Sequence, residues 1–121
     1  MANAMYISGV NYHYGAGITR DLVKAVECYQ KAIELGDSNA MQSLGVCYEI
    51  GNGVTQNQTK AIELYQKAID LNNHNAMYNL GLCYERGIGV VTDLEKAVKL
   101  YQKAVEIGNN DDAMYMLGLC Y

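Results

Sequence analysis

The sequence predicts an all-α solenoid: antiparallel helix pairs stacked in repeats of about 36 residues. Three observations predict it. First, Ala4-Met5 recurs as Ala40-Met41, Ala76-Met77 and Ala113-Met114, steps of 36, 36 and 37 residues. Residues 40–73 and 76–109 share eighteen identities in thirty-four positions. Second, each half of the repeat carries its apolar residues at helical spacing. Third, the chain has no proline to interrupt a helix, while glycines cluster in pairs between the halves. At 121 residues and 50% apolar content there is material for one domain, 1–121, with copies at 4–39, 40–75 and 76–112 and a partial copy at 113–121.

Taken in order, the spacing predicts helices over 4–14, 22–35, 40–50, 58–71, 76–86, 94–107 and 113–120. Ala40, Leu44, Cys47 and Tyr48 fall at i, i+4, i+7 and i+8, one face of a first helix; Ala61, Leu64, Tyr65, Ala68 and Ile69 do the same for a second. Asn39, Asn75 and Asp112 stand where caps for the first helices belong, and Asp21, Asn57 and Asp93 stand likewise before the second. Gly15/Gly17, Gly51/Gly53 and Gly87/Gly89 end the first helix and reverse the chain. Glu27–Lys31 and Glu63–Lys67 are favourable i, i+4 pairs on the outer face.

Gly9, Gly45, Gly81 and Gly118 lie inside predicted helices, where glycine costs about 1 kcal/mol against alanine. Their common register argues for a close helix approach, with Ala25, Ala61 and Ala97 and Ala32, Ala68 and Ala104 as small counterparts. Tyr29, Tyr65 and Tyr101 then fill the remaining space as half-buried spacers with solvated hydroxyls.

The period, the runs L-G-x-C-Y-E-x-G-x-G-V at 44–54 and 80–90, and the K-A-x-x-L-Y-Q-K-A that follows resemble the Sel-one-like repeats, relatives of the tetratricopeptide class. The resemblance spans essentially the whole chain. It implies a right-handed superhelix and a role as scaffold or adaptor in protein complexes, without naming a partner. It also implies where disulfides would lie. Secreted cysteine-rich relatives pair cysteines across the repeat boundary, and the corresponding positions here are the apolar Ile33/Met41, Ile69/Met77 and Val105/Met114.

Cys47, Cys83 and Cys120 instead share one register, and Cys28 takes the slot of Leu64 and Leu100. Equivalent positions on stacked helices are about 8–10 Å apart, beyond disulfide reach. All four read as free, slow-reacting core thiols in a reducing, cytoplasmic setting, Cys120 being the most open to exception. The amino terminus lacks the regions of a signal peptide, which points the same way. A net charge of −4 with two arginines speaks against a nucleic-acid surface, and no apolar run approaches the ~18 residues that span a bilayer. No metal or cofactor signature appears: there is no C-x-x-C, and no G-K-[ST] follows the glycine pairs. His13 aligns with Glu49 and Glu85 and reads as a surface variant; His74 reads as a loop residue. Ser8, Ser38 and Ser43 lack a lysine three residues on, so the hydrolase proposed for some cysteine-rich relatives finds no nucleophile motif here. Asn57-Gln58-Thr59 is a formal glycosylation sequon.

The expected function is therefore non-catalytic protein–protein interaction; a self-assembling piece or part of a longer repeat array is the alternative. In related helical repeats the first helix of each pair lines a concave groove. Here its non-core stripe carries Asn3, Tyr6, Val10 and His13, then Asn39, Gln42, Val46 and Glu49, then Asn75, Tyr78, Leu82 and Glu85, and finally Asp112, Tyr115 and Leu119. Amides, an apolar middle and carboxylates suit an extended peptide with a basic residue at one end. Helix capping by the asparagines is the competing account of that end. The last half-repeat has no second helix over it: Leu117, Cys120 and Tyr121 are expected to face the third copy, leaving Met116 and Leu119 exposed for a two-fold dimer or for further repeats.

Overall fold

The computed structural model describes residues 2–15 and 17–120, without the side chains of Ala2, Asn3 and Cys120. Among these residues seven α-helices run α1 (Ala2–Tyr14), α2 (Leu22–Glu34), α3 (Ser38–Ile50), α4 (Gln58–Asp70), α5 (His74–Arg86), α6 (Leu94–Gly108) and α7 (Asp111–Cys120). Among the described residues there is no strand, and no helix is long and apolar enough to cross a membrane. The chain divides within α4 into two compact units, the first ending at Leu64 and the second beginning at Tyr65.

Capping decides where the helices begin. Asp21, Asn57 and Asp93 cap the second helices as expected, each side chain accepting from the backbone N–H three residues on, at Lys24, Lys60 and Lys96. The first helices start two residues earlier than the apolar pattern suggests. Asp37, not Asn39, caps α3 and accepts from both Asn39 N–H and Ala40 N–H at 2.9 and 3.1 Å. Asn73, not Asn75, caps α5. Asn110, not Asp112, accepts from Ala113 N–H at 2.9 Å. Asn39 and Asn75 are thereby exposed residues of the first helical turn. His74 opens α5 rather than lying in a loop.

Gly51 and Gly87 end α3 and α5 in the left-handed conformation, φ 89° and 71°, where their N–H groups reach Cys47 O and Cys83 O. The second helices end at one left-handed register too, held by Gly36 in the first copy and by Asn72 and Asn109 in the next two. After each glycine turn the chain is tied back to the helix it has left: Asp21, Asn57 and Asp93 donate their N–H to the carbonyls of Tyr12, Tyr48 and Tyr84 at 2.8–2.9 Å. Beside each tie a lysine ammonium lies over the same tyrosine ring, Lys24, Lys60 and Lys96 at 5.7, 5.3 and 5.3 Å from the centroid. Such contacts contribute about 0.5–1 kcal/mol at exposed sites.

Within the first unit, Ala25, Tyr29 and Ala32 of α2 pack on Ala40, Leu44 and Cys47 of α3. Within the second, Ala97, Tyr101 and Ala104 of α6 pack with Met77 and Ala113. Tyr29, Tyr65 and Tyr101 are at most 1% exposed, so they are full core residues and not half-buried spacers. The steric reason for the recurrent glycines is this ring. A Cβ on Gly9 would sit 2.6 Å from Tyr29, and one on Gly81 would sit 2.5 Å from Tyr101. Glycine in the first helix is what admits a tyrosine from the second. Cys28 and Cys47 are free thiols, Cys28 half-buried and Cys47 fully buried, as Cys83 is; the Cys120 side chain lies outside the described residues. Burial raises the Cys47 thiol to about 11, which leaves little thiolate near neutrality.

Candidate functional site

In the first unit, α1 and α3 enclose a cleft of about 340 Å³ over the ring of Tyr29. Helix geometry sets its walls. Tyr6, Val10 and His13 repeat at i, i+4 and i+7 along α1, and Gln42 and Val46 repeat at i and i+4 along α3, so each set presents one face. These five were legible as a stripe. Tyr14, Ser43, Ile50 and Asn52 also line the cleft and were not singled out, although Ile50 continues the α3 spacing one turn past Val46. Asn39 and Glu49, predicted with them, do not line it. Asn3 of the same stripe has no described side chain.

A polar chain runs along the Tyr29 side of the cleft. The Tyr29 hydroxyl lies 3.4 Å from His13 Nδ1 and donates to it when that nitrogen is unprotonated. Ser43 lies beside the same hydroxyl, and its own Oγ donates to Gln42 Oε1 at 3.5 Å. Burial, reinforced by Cys47, Tyr6 and Tyr14, pushes the Tyr29 phenol well above its ordinary range, with Ser43 opposing. The hydroxyl is a fixed hydrogen-bonding group, not a solvated one. His13 is correspondingly no simple surface variant. It is half-buried, stacks on Tyr14 with centroids 4.6 Å apart, and is held below its ordinary pKa first by burial and then by Arg20. Tyr6 completes the aromatic wall, its centroid 6.1 Å from that of Tyr29.

The second unit uses the same registers differently. Tyr101 donates its hydroxyl to Glu85 Oε1 at 3.0 Å, sixteen residues back, as Tyr29 does toward His13. The Tyr78 ring lies 6.1 Å from that of Tyr101, and Tyr78 and Leu82 pack against the core. Burial raises the Tyr78 phenol. Asn75 Oδ1 accepts from Asn110 Nδ2 at 3.1 Å, and the same amide lies 2.9 Å from His74 Nδ1. Tyr115, 68% exposed, stands clear of these contacts. In α7, Leu117 packs on the core as expected, but Met116 does so as well, because Ala113, Met116 and Leu117 share the inward face at i, i+3 and i+4. Met116 is therefore not an exposed residue. Leu119 is, at 64%, together with Met114 and Tyr115. Cys120 and Tyr121, expected to face the third copy, have no described side chains. Among the described residues no cluster of three metal-ligating side chains occurs.

The family model described as Sel1 repeat matches residues 2–37, 38–73, 74–109 and 111–121. The chain belongs to the Sel1 repeat family. Its fold is accordingly the all-α repeat solenoid, and Sel1 repeats generally serve as protein-interaction scaffolds and are typically non-catalytic. Each matched Sel1 unit opens two residues before the alanine that marks the sequence period, in step with the caps at Asp37 and Asn73.

Solved structures agree. The chain is similar to a Sel1 repeat protein from Oxalobacter formigenes, with a TM-score of 0.92 and 30% identity over 100% of this chain and 49% of that one. It is similar to c5321, a protective antigen of uropathogenic Escherichia coli with this fold, with a TM-score of 0.88 and 33% identity over 99% of this chain and 26% of that one. A third likeness is to cysteine rich protein B of Helicobacter pylori, with a TM-score of 0.77 and 30% identity over 96% and 88%. The chain thus spans about half of the first of these Sel1 proteins and about a quarter of the second. No curated protein matches it at a significant level.

Proposed function

We propose that this chain is a protein-interaction module whose first-unit cleft seats an extended segment of a partner protein. One observation carries the reading: the variable stripes of two successive copies converge on one cleft, and they bring apolar, aromatic and amide groups together there. That mixture suits a peptide, with an apolar anchor against Val10 and Val46 and the Gln42 amide for its backbone. The stripe of the second unit supports the reading less directly, because Tyr78 and Glu85 already serve Tyr101. Substituting them would disturb packing as well as binding, so the test belongs in the first unit.

Selection of peptides from a random displayed library on the immobilised chain tests it. Enriched sequences should bind at least about tenfold more weakly to Val46→Lys, the loss of one buried anchor contact, with helicity unchanged. Failure to enrich any sequence, or enriched peptides indifferent to Val46→Lys, defeats the cleft as the binding seat.

A second reading rests on α7. Tyr115 and Leu119 are 68% and 64% exposed, and nothing lies within 4 Å of where a Cβ on Gly118 would stand. We propose that this face self-associates, most simply about a two-fold axis. Sedimentation should then show dimer for the wild type at about 100 μM, a concentration that populates weak homodimers, and monomer for Tyr115→Lys plus Leu119→Lys. A wild-type monomer at that concentration removes the dimer.

A further inference from the structure

The first-unit cleft departs from its own repeat at two registers. His13 stands where the next copies carry Glu49 and Glu85, and Arg20 stands where they carry Gln56 and Thr92. Both departures change charge in the same direction, removing a carboxylate and adding a cation. The local scaffold is kept. Arg20 Nε donates to the His13 carbonyl at 3.0 Å, the bond Gln56 Nε2 makes to the Glu49 carbonyl at 2.8 Å. The arginine thus does the structural work of the glutamine and brings a charge that this work does not require.

Among the described residues, the groups that face His13 include no acid. Arg20 faces it from the loop, Tyr14 from its own helix and Tyr29 from α2, with Tyr6, Ser43 and Cys47 around the Tyr29 ring. Among the described residues no Asp or Glu lines the cleft. With Nδ1 accepting from Tyr29, the neutral ring carries its proton on Nε2, which is then its donor. Should the ring gain a second proton, Nδ1 becomes a donor and the Tyr29 hydroxyl proton is free to turn away from it. Tyr29 would then accept from His13 and donate to Ser43, and Ser43 would still donate to Gln42. The site holds either protonation state without an orphaned buried group.

We propose that the first-unit cleft selects an acidic peptide segment, with an apolar side chain against Tyr6, Val10 and Val46 and the carboxylate of an adjacent Asp or Glu beside His13 and Arg20. This rests on the peptide-seat reading above and adds to it the sign of the partner's charge, opposite to the basic residue that the glutamates of the other copies suggest. A carboxylate brought beside the imidazole favours its charged form, so binding takes up a proton. The sign follows: the gain in affinity is full below the His13 pKa of the free chain and fades as pH rises through the higher pKa of the complex.

The experiment uses the full chain and three blocked dipeptides, acetyl-Leu-Glu-amide, acetyl-Leu-Gln-amide and acetyl-Leu-Lys-amide. NMR follows the Val46 methyls for binding and the His13 ring for its titration. The Glu probe should bind about threefold or more tighter than the Gln probe, as partly exposed charge pairs allow, with the Lys probe weakest. The gap should widen as pH falls from about 7.5 to about 5.5, across the range in which histidine titrates, and the His13 midpoint should rise only with the Glu probe. In His13→Glu, which restores the residue of the other copies, the Lys probe should become the tightest. Equal binding of the three probes by the wild type, or an unchanged order in His13→Glu, overturns the acidic preference while leaving the seat in place. If none of the three moves the Val46 signals, the seat falls and the preference falls with it.

Discussion

Tyr101→Ala is expected to destabilise the chain by about 3–5 kcal/mol, the range for removing a fully buried aromatic side chain. The ring has no exposed surface and is packed by Met77, Ala97, Ala104 and Ala113. Three of those four are alanines, which have no rotamers with which to refill a void. Truncation also removes the contact with the Tyr78 ring and the hydrogen bond to Glu85. Tyr101→Phe separates the two contributions. It keeps the ring and loses only the hydroxyl, and Glu85 is half-buried, so water can replace the lost donor. A cost of about 1 kcal/mol is expected, typical of one hydrogen bond. Urea unfolding of the three proteins measures both. If Tyr101→Ala costs less than Tyr101→Phe plus about 1 kcal/mol, within the error of such extrapolations, the ring is not the centre of its core.

That core was partly legible in the sequence. The period, the helix count, the glycine turns and the caps at Asp21, Asn57 and Asp93 follow from local patterns, and local physics decides them. The caps of the first helices were missed because two amide or acid registers recur at each boundary, Asp37 beside Asn39 and Asn73 beside Asn75. Apolar periodicity cannot choose between them, since the first turn of the helix faces solvent there. Only the geometry of Asp37 Oδ1 against Asn39 N–H and Ala40 N–H does. The tyrosine hydroxyls were misjudged for a different reason. Their partners lie on another helix, His13 for Tyr29 and Glu85 for Tyr101, and composition carries no record of a tertiary bond. The constant separation of sixteen residues is the trace the sequence did contain. His13 was set aside because its equivalents are glutamates, yet His13 and Glu85 both face a buried phenol. Met116 was misplaced by one step around α7, where only nine residues after Asp112 were available to set the apolar face.

Gly81→Val is expected to cost about 2–3 kcal/mol, while Gly118→Ala, at the same register one copy on, is expected to stabilise the chain by up to about 1 kcal/mol. Propensity alone predicts a gain from Gly→Ala at both positions, since each lies inside a helix. Packing separates them. A Cβ on Gly81 would stand 2.5 Å from Tyr101 Cε1 and 2.8 Å from Cδ1, the flank of a ring that is itself immobilised in the core. The two further methyls of valine extend that clash and add the poorer helix propensity of a β-branched side chain. At Gly118 the added atom meets nothing within 4 Å. Gly81→Ala lies between, its propensity gain of about 1 kcal/mol set against overpacking of about 1–3 kcal/mol. Its cost should shrink when Tyr101→Ala is already present, because the ring that opposed the Cβ is gone. Thermal unfolding of Gly81→Ala, Tyr101→Ala and the double variant closes that cycle. Additive losses would mean that the glycine serves something other than the tyrosine, and a destabilised Gly118→Ala would mean that the register has a cost unrelated to the facing ring.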